Sequence, residues 1–264
     1  MLLKFLKLLR QYCRCKMINL KKITKKGIAM FLAYDQGLEH GPIEFNDENV
    51  SPEDIIDIAK KGKFSAMIFQ KGIVEKYQKE INNSKVPLII KLNGKTSLYK
   101  GEPMSEQLCT VDEALKLGAK AVGYTIYIGS AFESQMFKEF ENIEREAHTK
   151  NIPVIAWIYP QGKGIKGKSS AELMAYASRT GLEIGADIVK LKYNGNLKDL
   201  KWAVKSAGKC KIVVAGGVKT NEKELLKQAK EIMRSGAIGL AIGRNIWQNS
   251  EPLKISRKLR EIVF

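Results

Sequence analysis

Histidine is scarce in this chain: His40 and His148 are the only two in 264 residues. Two imidazoles cannot build a three-histidine zinc centre. Cysteine is also sparse, with Cys13, Cys15, Cys109 and Cys210, and none of the spacings is that of a paired zinc site. Cys13 and Cys15 form only C-x-C, too close for a C-x-x-C redox pair, so unpaired thiols in a reducing, cytoplasmic setting are the expectation. Long apolar runs are missing as well. Stretches such as Val86 to Ile90 and Val154 to Ile158 fall far short of a bilayer span, so no membrane partner is expected.

What is present is an ordinary globular composition, 44% hydrophobic and 28% charged, with an excess of base. The formal charge of +17 concentrates anions around the protein without naming one. Nucleic acid is one candidate anion, but the basic residues are scattered and carry no RNA-binding signature, so a solvated Lys-rich surface is the expectation. Residues 1–18 form an N-terminal extension. Its opening, MLLKFLKLLRQYCRCK, has helical amphipathic spacing, and it reads either as a surface or partner-binding helix or as sequence upstream of a natural start at Met17. Lys4 and Lys7 interrupt its apolar core, and no small-residue cleavage site follows, which argues against a signal peptide.

From Gly27 onward, short apolar runs alternate with amphipathic stretches, the pattern of repeated βα units. Eight strands are predicted: Ile28 to Tyr34, Ala66 to Phe69, Leu88 to Leu92, Ala121 to Ile126, Val154 to Tyr159, Ile188 to Leu191, Ile212 to Ala215 and Ile238 to Ile242. Helix starts agree, with Ser51-Pro52 as N-cap and first-turn proline and Ser169…Glu172 as a capping box. Gly118 and Gly236 sit where left-handed C-caps would end helices. Eight such units over about 240 residues give an α/β fold, a single (β/α)8 TIM barrel spanning 19–264, with its chemistry at the C-terminal ends of the strands.

Period-two geometry then selects side chains. Lys190 lies inside the apolar run Ala186 to Leu191, and an internal lysine requires a reason. It is either satisfied by acidic partners or depressed in pKa by burial, with Lys192 on the same face adding like-charge repulsion, and so made a nucleophile. Trp157 and Tyr159 share a face at the end of strand five, as a pocket wall and a proton relay or as plain core. Asp35, in the rim segment Tyr34 to Pro42, either orients a substrate hydroxyl or caps a loop. Gly216 and Gly217 after strand seven, and Gly243 and Arg244 after strand eight, have the makings of a phosphate site: exposed backbone N–H groups, a helix N-terminus and a guanidinium. Gly162 to Gly167 also matches G-x-G-x-x-G, with Asp187 twenty residues beyond. The helical pattern restarts only near Ser170, so a substrate-contacting loop or lid is expected there rather than a dinucleotide turn.

The segments AYDQGLEHGP (33–42), FQKGIVEKY (69–77), KLNGKTSLYKGEP (91–103), GYTIYIGSAFE (123–133), WIYPQGK (157–163), ADIVKLKY (186–193), AGGVKT (215–220) and AIGRNIWQ (241–248) together resemble the archaeal-type class I fructose-1,6-bisphosphate aldolases. The resemblance covers nearly the whole chain after Met17. It implies a metal-independent lyase without cofactor, in which Lys190 forms the Schiff base, Tyr159 transfers protons, Asp35 contacts a substrate hydroxyl and Trp157 walls the pocket. It further implies that Gly216, Gly217, Gly243 and Arg244 hold the phosphate of the dihydroxyacetone phosphate portion of the sugar. It implies, too, a high-order homo-oligomer, a decamer of two pentameric rings among the candidates. The chain departs from the family's usual AYDHG, YPRG and GGPKT at Gln36, Gln161 and Val218. Gln161 puts the second phosphate contact in question, with Lys163 as a substitute point charge. The alternatives are a related branch that makes an amino-dideoxy-heptulosonate for aromatic biosynthesis and, outside enzymes, a basic nucleic-acid-binding barrel.

Overall fold

The computed structural model describes residues 18–264. Cys13, Cys15 and the amphipathic reading of the opening segment lie outside the described residues. The eight expected strands form within one or two residues of their predicted ends: β1 (Ala29–Ala33), β2 (Ala66–Gln70), β3 (Leu88–Lys91), β4 (Ala121–Ile128), β5 (Val154–Pro160), β6 (Ile188–Lys192), β7 (Lys211–Ala215) and β8 (Gly239–Ile242). Each pairs in parallel with its successor, and β8 closes on β1 through Ala29↔Gly239 to Leu32↔Ile242. The described chain is a closed (β/α)8 barrel. An antiparallel ribbon, Asn93–Gly94 with Glu106–Gln107, sits between β3 and β4.

Among the described residues eight helices pack around the strands, α1 (Pro52–Lys61), α2 (Gln78–Ser84), α3 (Val111–Lys116), α4 (Glu133–Thr149), α5 (Ser170–Glu183), α6 (Leu197–Ser206), α7 (Glu222–Arg234) and α8 (Pro252–Val263), with shorter helices at Gly37–His40, Lys71–Lys76 and Arg244–Trp247. Their ends obey the chemistry of unsatisfied backbone groups. Ser51 accepts from the Glu53 N–H ahead of Pro52. Ser169 accepts from the Glu172 N–H, yet Glu172 turns to Lys168 at 2.9 Å, so only half of the expected capping box forms there. The complete box is at Thr110 and Glu113. Gly118 and Gly236 adopt φ of 92° and 90°, as left-handed C-caps require. No described helix is long and apolar enough to cross a membrane.

Strand alternation divides the buried residues into two sets. Met30, Leu32, Phe69, Val122, Ile158, Val189 and their neighbours face outward to the helices. Ala29, Phe31, Ala66, Ile68, Ile89, Ala121, Ile155, Trp157, Ile188, Val213 and Ala241 face inward. Ile23, fully buried just before β1, packs with this inner set. The same parity carried toward the strand C-termini reaches Asp35, Lys91, Tyr127, Tyr159, Lys190, Lys192 and Gly243, which places those groups above the apolar plug.

Candidate functional site

A cavity of about 160 Å³ opens at the C-terminal ends of the strands. Lys190 rises into it from the middle of β6 with only 6% of its surface exposed. Its Nζ lies 4.9 Å from the centroid of the Trp157 ring, and the two residues are register partners across β5 and β6. That ring has space because the inward-facing residue on β4 is Gly123: a Cβ there would come within 1.5 Å of the indole. Burial lowers the Lys190 pKa to about 8 despite the opposing pull of Asp35.

The like charge acting on Lys190 is not the expected one. Lys91 and Arg244 push its pKa down, whereas the Lys192 ammonium stands over the Tyr159 ring, 5.1 Å from the centroid. Lys192 is exposed at the strand end, where water screens it; Lys91 is buried inside the barrel and its field is felt. Lys91 was missed by the sequence reading, although Leu88-Ile89-Ile90-Lys91-Leu92 presents the same signal as the Lys190 run, a lysine embedded in an apolar strand.

Asp35 lies between the two lysines, its carboxylate 3.6 Å from Lys91 Nζ. Burial drives the Asp35 pKa up, but Lys190, Lys91 and the local hydrogen bonds together hold it below the usual value. The group is therefore ionised. Tyr159, at the end of β5, is pushed far toward its neutral phenol by burial and then by Asp35, Glu39 and Tyr127. Tyr127, the register partner of Tyr159 on β4, donates to Glu39 Oε1 at 3.0 Å. Glu39, His40 and Tyr127 are further lining groups that the rim sequence did not single out. Two buried donors on residues that line this cavity, Trp157 Nε1 and Gln36 Nε2, have no hydrogen-bond partner among the described residues.

Gly216, Gly217, Gly243 and Arg244 all line the other side of the cavity. Gly217 has φ of 66°, a left-handed conformation that suits glycine. Arg244 is held by Glu44, with Nη1 to Oε1 at 2.5 Å, and Glu44 also contacts His40 Nδ1 at 2.9 Å. The expected helix N-terminus is present only as a short helix capped by Gly243 after β8, and no helix starts at the loop after β7. After β7, α7 begins only at Glu222 behind its Asn221 cap, and the Arg244–Trp247 helix is a single turn of four residues. Cationic and loop-backbone groups, with no more than a single helical turn behind them, give this wall its positive character.

Gln161 lines the cavity and Lys163 does not; the Lys163 N–H is directed at Glu102 Oε2, 3.4 Å away. Gly164 N–H donates to Gly129 O at 2.9 Å, which ties the glycine-rich segment to the β4 loop, well before α5 starts at Ser170. That geometry is not a dinucleotide turn, in which the glycines lead directly into a helix.

Comparison with known proteins agrees with this geometry. The family described as DeoC/LacD family aldolase matches residues 29–249. The chain is 46% identical over 248 residues to the class 1 fructose-bisphosphate aldolase of Thermoproteus tenax, covering 93% of each protein. It is 41% identical over 244 residues to the class 1 enzyme of Halobacterium salinarum, covering 92% of each. It superposes with a TM-score of 0.88 and 46% identity on a solved archaeal fructose-1,6-bisphosphate aldolase whose catalytic lysine is covalently bound to the carbinolamine intermediate of the substrate. That match covers 92% of this chain and 97% of the other.

Proposed function

This chain belongs to the DeoC/LacD family of aldolases, and on that premise we propose that it is a class I fructose-1,6-bisphosphate aldolase acting through Lys190. The observation that carries the reading is a buried, pKa-lowered amine on β6 that shares one cavity with the glycine loops after β7 and β8 and with Arg244. With a pKa near 8, about one lysine in ten is a free amine at pH 7, against about one in three thousand for an ordinary lysine.

The chemistry follows from that amine. Lys190 Nζ adds to the C2 carbonyl of the ketose; the carbinolamine loses water to leave a protonated imine. Removal of the C4 hydroxyl proton breaks the C3–C4 bond, releases glyceraldehyde 3-phosphate and sends the electron pair into the iminium, giving an enamine. Protonation at C3 and hydrolysis return dihydroxyacetone phosphate and the free lysine. Tyr159, neutral and adjacent, is assigned the proton transfers, and ionised Asp35 a substrate hydroxyl. Trp157 walls the carbon chain. Gly216, Gly217, Gly243 and Arg244 take the phosphate of the dihydroxyacetone portion. For the other phosphate, Lys192 and Gln161 both line the cavity, whereas Lys163 would act only from outside the lining. The covalent imine serves as the electron sink, so no metal electrophile is required.

The test is reductive trapping. Borohydride with dihydroxyacetone phosphate should attach one three-carbon adduct to the wild-type protein at Lys190 and none to Lys190→Ala, and wild type should cleave fructose 1,6-bisphosphate in the presence of a chelator. An adduct at another residue, or chelator-sensitive cleavage, refutes the reading. Sedimentation of the full chain tests the accompanying proposal of a homo-oligomer, which exposed Leu98 and Tyr99 on the loop after β3 would help to bury.

A further inference from the structure

The loop Gly216–Thr220 supplies two of the groups assigned to phosphate, yet it has no regular secondary structure to fix its peptide planes. One residue outside the cavity lining does so. Asn245, in the single-turn helix after β8, is 2% exposed and makes three hydrogen bonds to this loop. Its Nδ2 donates to Gly216 O at 2.8 Å and to Val218 O at 2.9 Å, while its Oδ1 accepts from the Thr220 N–H at 2.8 Å. A primary amide is the side chain that offers two donors and an acceptor at that reach; an aspartate would present only acceptors to two carbonyls.

The direction of those bonds matters. In a planar trans peptide the carbonyl and the following N–H point to opposite sides. With the carbonyls of Gly216 and Val218 drawn to Asn245, the N–H groups of Gly217 and Lys219 are turned away from it. Gly216 and Gly217 line the cavity and Asn245 does not, so the face turned from Asn245 includes the cavity side. The left-handed φ of 66° at Gly217 completes the turn.

We propose that Asn245 is the positioning residue of the phosphate end: it holds the loop after β7 with its N–H groups aimed at the ligand phosphate and thereby sets the preference for phosphorylated over unphosphorylated ketoses. This rests on the aldolase reading above for the identity of the ketose, but not for the existence of the anion site. Asn245 touches no reacting atom, so its effect should fall on phosphate affinity and leave the amine chemistry alone.

The experiment compares wild type with Asn245→Ala and Asn245→Asp by two readouts. Borohydride trapping is run with dihydroxyacetone phosphate and with dihydroxyacetone, and inorganic phosphate is titrated as a protecting ligand. Losing two or three buried hydrogen bonds should weaken inorganic phosphate and dihydroxyacetone phosphate on the order of 10- to 100-fold, with Asn245→Asp the worse. Trapping by dihydroxyacetone and its pH profile should stay at the wild-type level. An equal fall with both ketones, or unchanged phosphate affinity, overturns the proposal. Gly217→Ala serves where an Asn245 variant does not fold: its Cβ meets nothing within 4 Å, so it strains the loop without a clash and should reproduce the phosphate defect. Wild type that binds inorganic phosphate but is trapped by neither ketone would refute the aldolase reading while leaving the anion site; wild type that binds no phosphate refutes Asn245's role.

Discussion

The two ends of the barrel interior share strands and parity but not chemistry. At the N-terminal end, Ile23, Phe31, Ile155 and Ile188 pack with Ala29, Ala66 and Ala121 into a plug of fully or almost fully buried side chains. Two residues further along the same strands, Ile89 gives way to Lys91 and Ile188 to Lys190, and after Ala33 the inward position becomes Asp35. The plug lowers the energy of the fold; the charged layer above it costs desolvation that a hydrophobic layer would not. Stability and reactivity are thus segregated by one pleat repeat, which lets each be perturbed without the other.

Lys190→Met should give the largest effect and the sharpest contrast. It should lower fructose 1,6-bisphosphate cleavage by a factor of at least about 10⁴, the covalent route being lost outright, while the melting temperature holds or rises. Asp35 keeps Lys91 as its partner at 3.6 Å, so no carboxylate is stranded. Calorimetry showing a large loss of stability would break the segregation. Ile188→Ala, one pleat below, should do the converse. It should cost about 2–5 kcal/mol of stability as a fully buried truncation, read as a shift of the denaturation midpoint, with kcat close to wild type at temperatures where the protein is folded.

Lys91→Met probes the boundary between the layers. Lys91 pushes the Lys190 pKa down and is also the nearest cation to Asp35. Without it, the Lys190 pKa should rise above its value of about 8, so the acidic limb of the kcat/KM profile moves to higher pH and activity at pH 7 falls more than activity at pH 9. A uniform loss at every pH would assign Lys91 to contacts alone. Lys192→Met should leave that limb in place.

How much of this contrast could be read from the sequence depended on the range of the signal. The eight strands, the inward face of Lys190, Trp157 and Tyr159, and the glycine C-caps are local periodicities and were legible. Lys91 carried an equally local signal that went unused. Glu44 on Arg244 joins groups 200 residues apart, and Asn245 acts on a loop 25 to 29 residues before it. Neither pairing has a repeat or spacing that periodicity could reveal. The helix N-terminus anticipated at the positive wall is there only as the single turn after Gly243, while after β7 the next helix starts as late as Glu222, because glycines in a barrel loop do not say how soon the next helix starts.

The smallest expected effect belongs to the plug end and concerns pH. His148, on α4, contacts Glu144 through Nδ1 at 2.6 Å and Asp187 through Nε2 at 3.0 Å, and the same Asp187 oxygen accepts the Val154 N–H at the start of β5. The hydrogen bond to Asp187 raises the His148 pKa against the opposing effect of burial, with the charges of Asp187 and Glu144 adding to the rise. A group whose folded pKa is raised stabilises the fold fully below its unfolded value, about 6.5, and loses that contribution as pH climbs through the folded pKa. The melting temperature should therefore decline by a few degrees at most as pH rises above about 6.5, and His148→Gln should flatten the decline. The catalytic limb follows Lys190, near 8, at the opposite end of the barrel. If His148→Gln moved that limb as well, the two ends would be electrostatically coupled and their separation by one pleat repeat would fail.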